Sequence, residues 1–395
     1  MQDMPAFTKK PGGERDTGAC GISALFNMDL KPVGGKNIMD MICVMREREN
    51  GQGAGFSAYG IFPKNKDEYC LQLILEDLPD CDPTKERVEE FLKEHADIVK
   101  DERVQTKKNV FRDRPEIWRF FVNPSGKHGD SPDDQMKDIM MCINDSMAGA
   151  FCMSGGKDMA VFKGVGWSSE IAEFYKVEDL KAYMWSFHSR FPTNTPGWWG
   201  GAHPFSILGH SIVHNGEITS YGTNVGYLKE LGYLCRLMTD TEPLIYIFDY
   251  IVRKSGYPPG IALQMATMAM APPYWRDIDR MPPLLKKWVK SIRIIHRWAL
   301  ANGPFSIVIT TDHPEPTMIG HSDRKKLRPL IAALSEDKST FYLSSELNSI
   351  HEIDDTRNYW QPDPGMPVIA TKEGLLQKGA GEDLKRFASH LGEKK

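Results

Sequence analysis

The chain has 395 residues, 41% of them apolar and 26% charged, which describes an ordinary globular protein able to bury a large core without disulfides or a structural metal. Lys plus Arg number 49 against 53 Asp plus Glu, a net charge of -4, so nothing points to a nucleic-acid-binding face. At about 150 residues per domain the length allows two or three domains, or one large unit with insertions. Seven cysteines are scattered from Cys20 to Cys235 with no CxxC pair, which argues against a zinc ribbon or a disulfide scaffold and favours a reducing, cytoplasmic setting. The N-terminus lacks the apolar core of a signal peptide, and no window approaches 18 consecutive apolar residues, so neither export nor a membrane span is expected.

Residues 1–19 are rich in Gly, Pro and charge and read as a tail, with an abrupt change to a buried strand at Ala19-Cys20-Gly21-Ile22. Strands are expected at 21–26 and 53–62, flanking an amphipathic helix at 38–48 that Asn37 would cap. A strand at 69–75 precedes a Thr-capped helix at 84–100, whose Val88, Phe91, Leu92, Ile98 and Val99 recur at helical intervals. Further strands are expected at 117–122, 159–163, 183–188, 211–214, 306–310, 341–344 and 366–370. Helices are expected at 132–142, 223–237, 242–254, 258–269 and 284–300. The polar stretch 123–135 reads as a loop, 64–180 as an inserted α/β lobe, and the chain after 371 as a surface helix with a charged end.

There is no HExxH, G-x-S-x-G, Walker loop or dinucleotide glycine pattern after a strand. Gly51-Gln52-Gly53-Ala54-Gly55 would instead permit tight backbone geometry. His188, His203, His210 and His214 cluster in sequence but lack acidic or thiolate companions at metal spacing, so no metal is expected. Two segments are denser in special residues: 187–205, FHSRFPTNTPGWWGGAHPF, and 211–218, SIVHNGEI. Each follows a β-like run, where a rigid scaffold can hold reactive groups. Taken alone, Asn215-Gly216 also fits a hairpin turn, and Arg190 an ion-paired surface residue.

Taken in order, Cys20-Gly21-Ile22, Arg190 through Thr195, His214-Asn215-Gly216-Glu217-Ile218 and Thr239-Asp240-Thr241-Glu242 resemble the class II glutamine amidotransferases. HSRFPTNTPGW followed by AHPF and HNGEI is most similar to the glutaminase domain of glutamate synthase. The resemblance implies an α+β, N-terminal-nucleophile hydrolase fold: a four-layer αββα sandwich of two antiparallel sheets, here over 20–375 with the lobe at 64–180 inserted and a charged tail at 376–395. It implies Cys20 as nucleophile, its freed α-amino group as base, and residues 1–19 as a removable leader. A terminal amine has a reference pKa near 8, close enough to neutrality for that task. Asn215 and Gly216 would supply the oxyanion hole, Arg190 would grip the substrate α-carboxylate and Asp240 its α-ammonium. Thr193 and Asn194 would lie in the glutamine-binding loop, and His214 would order the oxyanion loop.

The implied activity is hydrolysis of L-glutamine to L-glutamate and ammonia through a thioester. No synthase machinery, flavin-binding barrel or iron–sulfur cysteine run is visible in the sequence. A separate ammonia-accepting subunit of glutamate-synthase type, carrying flavin and iron–sulfur centres, is therefore expected, with no cofactor in this chain. A homo-oligomer stays open. Two alternatives remain at this point: another Cys-type amide hydrolase of the same fold, and an uncleaved, non-catalytic regulatory subunit.

Overall fold

A computed structural model describes residues 20–79, 81–126, 131–190 and 198–380. Residues 1–19, Thr193, Asn194 and the charged tail beyond 380 lie outside the described residues. Two antiparallel sheets form the body. The first runs in the order Tyr359–Trp360, Ile331–Leu334, Thr340–Ser344, Gly21–Asn27, Met184–Ser189, Ala54–Tyr59 and Met159–Gly164. The second runs Phe205–Ile207, His210–Gly216, Phe305–Thr311, Thr317–Ser322, Val368–Thr371 and Gly374–Lys378.

The central strands Gly21–Asn27 and Phe305–Thr311 are buried at every position, so they read as continuous apolar runs with few polar breaks. One face of each meets a helical layer and the other meets the opposite sheet. Between the sheets several small polar groups satisfy one another. Ser57 Oγ lies 2.7 Å from Ser186 Oγ and 3.3 Å from Thr310 Oγ1, Ser211 Oγ lies 2.7 Å from Thr310 Oγ1, and the Tyr59 hydroxyl donates to the Thr310 carbonyl at 2.8 Å. Helix Gly35–Cys43 covers the first sheet over Gly21–Asn27 and Met184–Ser189. Helix Glu242–Lys254 covers the second sheet over Phe205–Ile207 and His210–Gly216, and helices Pro259–Met270 and Pro283–Ile295 pack behind it. The result is the expected four-layer αββα sandwich.

The lobe has its own antiparallel sheet in the order Ala96–Arg103, Glu116–Pro124, Tyr69–Leu75 and Ala150–Ser154, with helices Thr84–His95 and Pro132–Ser146. It is shorter than the expected 64–180. Strand Met159–Gly164 pairs with Ala54–Tyr59 in the first main sheet, and helix Ser168–Tyr175 packs on those two strands. Helix Pro132–Ser146 starts with Ser131, whose hydroxyl accepts the Asp134 N–H at 3.2 Å, and with Pro132 where an amide would be unpaired anyway.

Three local expectations are corrected. The helix expected at 84–100 stops at His95, and Ala96–Arg103 is an edge strand. A bulge between Ile98 and Lys100 leaves Val99 unpaired and 50% exposed, so the apolar pair at 98–99 mimics a helical face. Helix Gly35–Cys43 has Gly34, rather than Asn37, as its cap residue. The chain after 371 continues into strand Gly374–Lys378 instead of a helix.

A buried charge network joins the lobe to the sandwich. Arg253 donates to Asp249 through Nε at 2.6 Å and Nη2 at 2.8 Å, and to Asp134 of the lobe helix through Nη1 at 3.0 Å. Tyr233 donates to Asp249 Oδ2 at 2.5 Å, and His210 Nε2 lies 3.4 Å from Asp249 Oδ1. Asp249 is fully buried and Arg253 nearly so. Replacing Asp249 by Ala removes two of the guanidinium's hydrogen bonds in a nearly dry site, leaving it Asp134, and should lower the unfolding free energy by ~3 kcal/mol. The double variant Asp249→Leu/Arg253→Met should lose much less, and urea unfolding of the three proteins checks both expectations.

Candidate active site

Cys20 stands immediately before strand Gly21–Asn27, and Arg190 immediately after strand Met184–Ser189. These strands pair with Gly21 opposite Ser189, so continuing the antiparallel register sets Cys20 opposite Arg190. The Gly21 N–H donates to Ser189 Oγ at 3.1 Å and the Ile22 N–H to Ser345 Oγ at 3.2 Å, which fixes the strand's first residues. Arg48 donates from Nε and Nη2 to the Cys20 carbonyl, both at 3.3 Å, and pairs with Glu346 at 2.7 Å. On the other side the Arg190 N–H donates to the Gly53 carbonyl at 2.8 Å. Gly53 has φ +140°, inside the glycine stretch expected to allow tight geometry.

The second sheet brings Asn215 and Gly216 to the same end. Both lie on strand His210–Gly216, opposite Ser306 and Phe305, so they are not the tip of a hairpin. Phe305 exchanges backbone and side-chain hydrogen bonds with Asp323 on its far side, while the Glu217 N–H donates to the Pro304 carbonyl at 2.9 Å. Alternation along the ladder therefore turns the Gly216 N–H away from strand Phe305–Thr311. The Asn215 Nδ2 amide is buried and has no hydrogen-bond partner among the described residues. Gly216 adopts φ +141°, and a Cβ there would lie 1.9 Å from the Pro304 carbonyl oxygen, so only glycine fits.

His188 ties the two sheets together, with Nε2 donating to the His214 carbonyl at 2.9 Å. His203 stacks on His188 at 3.9 Å between ring centroids. Thr241 Oγ1 receives His214 Nδ1 at 2.9 Å and His203 Nε2 at 3.1 Å, while its own hydrogen goes to Asp240 Oδ1 at 3.1 Å. One hydroxyl donating to a carboxylate has two lone pairs left, which sets both imidazoles as N–H donors toward it. Asp240 also accepts the Ile218 N–H at 2.7 Å, and His214 Nδ1 is 3.7 Å from it. Burial pushes the Asp240 carboxyl up, but His214, the Ile218 N–H and Thr241 together hold it below its ordinary value, so it is a carboxylate at neutral pH. Burial pulls the Arg190 guanidinium down, opposed by the nearby Cys20 and Asp240.

Of the residues picked out in the sequence, Cys20, Arg190, His214, Asn215, Gly216 and Asp240 thus meet at one end of the sandwich; Thr193 and Asn194 fall outside the described residues. The sequence reading missed Arg48, Ser189, Ser345 and the Thr241 hydroxyl. His188 and His203, for which the sequence favours a structural role over a metal site, are structural donors here. Thr241 lay within the Thr239–Glu242 motif but carried no assigned role. Nothing in Arg46-Glu47-Arg48 distinguishes Arg48 from a surface cation.

Chemically, the site offers a thiol, a buried cation and a half-buried carboxylate set near one another, and an unpartnered amide on the facing sheet. The profile of the family described as glutamine amidotransferases class-II matches residues 102–376, and the chain belongs to that family. The match includes Arg190, His214 to Gly216 and Asp240 and begins beyond Cys20.

The chain is similar to an uncharacterized protein of Archaeoglobus fulgidus, 42% identical over 380 residues, covering 93% of this chain and 97% of that protein. It is similar to a "Putative glutamine amidotransferase" of Methanothermobacter thermautotrophicus, 27% identical over 355 residues, covering 88% and 97%. The ferredoxin-dependent glutamate synthase of Cyanidium caldarium is 27% identical over 263 residues, but these span 55% of this chain and 16% of that enzyme.

Two expectations follow from the geometry. Gly216→Ala forces a side chain into the Pro304 carbonyl at a positive φ, and should lower the unfolding free energy by ~2 kcal/mol or more, as read by urea unfolding. The second concerns acid. Burial, with the nearby His214, holds the His188 imidazole down to about 3. In the unfolded chain it titrates near 6.5. Between these values the unfolded chain binds one proton more, so stability falls as pH drops below about 6.5, by up to ~1.4 kcal/mol per pH unit from this group. Unfolding free energies at pH 7, 6 and 5 should show that loss, and a His188→Gln variant should show a slope shallower by about one proton.

Proposed function

We propose that the chain hydrolyses L-glutamine to L-glutamate and ammonia through the Cys20 thiol, and passes the ammonia to a separate glutamate-synthase-type subunit. The observation that carries this reading is the unpartnered, buried Asn215 amide at the same end of the sandwich as Cys20, Arg190 and Asp240. A buried donor without a partner costs about 1–3 kcal/mol, and an oxyanion that forms only during reaction is the group such a donor suits.

The proposed cycle begins with removal of residues 1–19, which frees the Cys20 α-amino group. Glutamine binds with its α-carboxylate on Arg190, where a guanidinium can pair in two-pronged fashion, and its α-ammonium on Asp240. Thr193 and Asn194 belong to the same binding loop. The amine takes the thiol proton, and the sulfur attacks the side-chain amide carbon. Asn215 Nδ2 and the Gly216 N–H stabilise the tetrahedral oxyanion. His214, held on Thr241 and accepting His188 at its carbonyl, keeps that strand end in place. The ammonium passes the proton to the departing nitrogen, ammonia leaves, and a γ-glutamyl thioester remains. Water, deprotonated by the same amine, attacks the thioester carbon and releases glutamate and the thiol.

Two fixed opposite charges select free glutamine over a peptide-bound side chain. That feature favours this reading over a different amide hydrolase of the same fold. The accepting subunit is proposed because relatives include glutamate synthases; it would aminate 2-oxoglutarate and carry flavin and iron–sulfur centres.

Ammonia release from glutamine should depend on Cys20, with Cys20→Ala lowering kcat by about a thousandfold or more. Intact-mass measurement of the active protein should give a chain that starts at Cys20. Full activity in a chain retaining residues 1–19 would refute the terminal-amine step, and full activity in Cys20→Ala would refute the nucleophile.

A further inference from the structure

Lys163 lies on strand Met159–Gly164, is 1% exposed, and is remote from the surface a lysine normally seeks. Its ammonium donates to the Gly200 carbonyl at 2.8 Å and to the Pro204 carbonyl at 3.2 Å. It also stands over the rings of Phe151 and Phe205, 5.2 and 4.8 Å from their centroids. The two carbonyls bracket His203, the residue that stacks on His188 and donates to Thr241. The clamped segment runs close against the first sheet at Gly55, directly across from Lys163, where a Cβ would lie 2.3 Å from the His203 carbonyl oxygen. Trp198 folds back onto Gly200 and Gly201, where a Cβ would lie 2.2 and 2.5 Å from the indole. Lys163 thus fastens the turn at 200–204, and with it the His203 ring that lies on His188.

Glu242 plays the matching part on the other wall. It is 2% exposed at the start of helix Glu242–Lys254. Its carboxylate accepts the Arg236 N–H at 3.1 Å, the Leu237 N–H at 2.9 Å and the Tyr246 hydroxyl at 3.2 Å, and its own N–H donates to Thr239 Oγ1 at 3.3 Å. It therefore shapes the 236–241 loop that delivers Asp240. Burial drags the Lys163 ammonium down to about 7, opposed first by Glu242; burial lifts the Glu242 carboxyl to about 7, opposed by the backbone donors, Tyr246 and Lys163. Each thus feels the other's charge. The two loops they hold meet at the bond from His203 to Thr241.

We propose that Lys163 and Glu242 act as a buried pair of positioning residues that set the separation between the turn at 200–204, stacked through His203 on the strand that leads into Arg190, and the loop carrying Asp240, and so fix the site's fit to the two charged ends of a free α-amino acid. Neither touches the substrate or the reacting atoms. An apolar pair would fill the same volume at less desolvation cost. It would leave the Gly200 and Pro204 carbonyls and the Arg236 and Leu237 amides without partners, and the two walls free to drift. A shift of about 1 Å between substrate-gripping groups is enough to cost a large factor in binding or rate.

This inference rests on the glutamine reading above, and the test separates the two. Glutamine hydrolysis and labelling of Cys20 by iodoacetamide, and by a diazoketone mimic of glutamine, are measured on the mature protein and on Lys163→Met, Glu242→Gln and the double variant. Each single variant should raise the glutamine KM about tenfold or more, keep kcat within about threefold, and slow the glutamine mimic while leaving the iodoacetamide rate unchanged. The double variant should lose less than the product of the two, because the first change already releases the coupling. A KM within about twofold of the parent in a folded single variant overturns the inference, as does parallel loss of iodoacetamide reaction, which would mean general collapse. Should Lys163→Met not fold, Glu242→Gln decides by the same criteria. A parent protein that hydrolyses no glutamine removes the functional reading and this inference with it, whereas an active parent with unaffected variants removes this inference alone.

Discussion

The hydrogen bond from His188 Nε2 to the His214 carbonyl is the constraint on which the site depends, because it crosses between the two sheets at the end where the reactive groups gather. Two packed sheets can slide when only methyl groups meet between them. The Ser57 and Tyr59 bonds to Thr310 hold them farther along, and this directional bond of 2.9 Å in a dry interior fixes their relative position at the site; its loss would leave a buried carbonyl without a partner. Because burial keeps the imidazole neutral, the bond is made without burying a charge. Cys20 and Arg190 are then fixed to the first sheet by strand pairing, Asn215 and Gly216 to the second, and the sheet-to-sheet bond converts two separate registers into one geometry.

From that weld the polar order spreads outward through Thr241. Its hydroxyl gathers His203, His214 and Asp240, so the loop with the carboxylate is referred to the same histidines that join the sheets. Between the sheets the Ser57, Ser186, Ser211 and Thr310 hydroxyls satisfy one another. At the site Asn215 Nδ2 and His214 Nε2 are buried without partners among the described residues, as are groups elsewhere such as the His321 imidazole and the Ser306 and Ser322 hydroxyls. What sets Asn215 apart is its place at the end of the sandwich that holds Cys20, Arg190 and Asp240.

How much of this was legible in the sequence depends on how local each signal is. Helix Glu242–Lys254 and strand Tyr69–Leu75 matched their expected bounds because their apolar runs and end residues are self-contained. Arg190, His214 to Gly216 and Asp240 were readable because their motifs, taken in order, resemble those of the class II glutamine amidotransferases. The helix expected through residue 100 failed because Ala96–Arg103 is a charged edge strand whose bulge imitates helical spacing. The lobe boundary was drawn too late because only pairing with Ala54–Tyr59, about a hundred residues away, assigns Met159–Gly164 to the main sheet. Lys163, Arg48 and the Thr241 hydroxyl gave no signal, since each acts on groups tens of residues distant.

The family match begins at residue 102, so it reaches the binding groups but not the proposed nucleophile, and the support for Cys20 has to come from geometry. Three independent constraints supply it. Strand register carries Cys20 to the position opposite Arg190; the first two amides of the strand are tied to Ser189 and Ser345; and Arg48 holds the Cys20 carbonyl with two donors. A surface cysteine beyond the end of a strand would need none of these. With its carbonyl held from one side and the following amides from the other, Cys20 keeps a set position at the head of a central strand, opposite Arg190. A residue that must meet a substrate gripped by that guanidinium requires such a position.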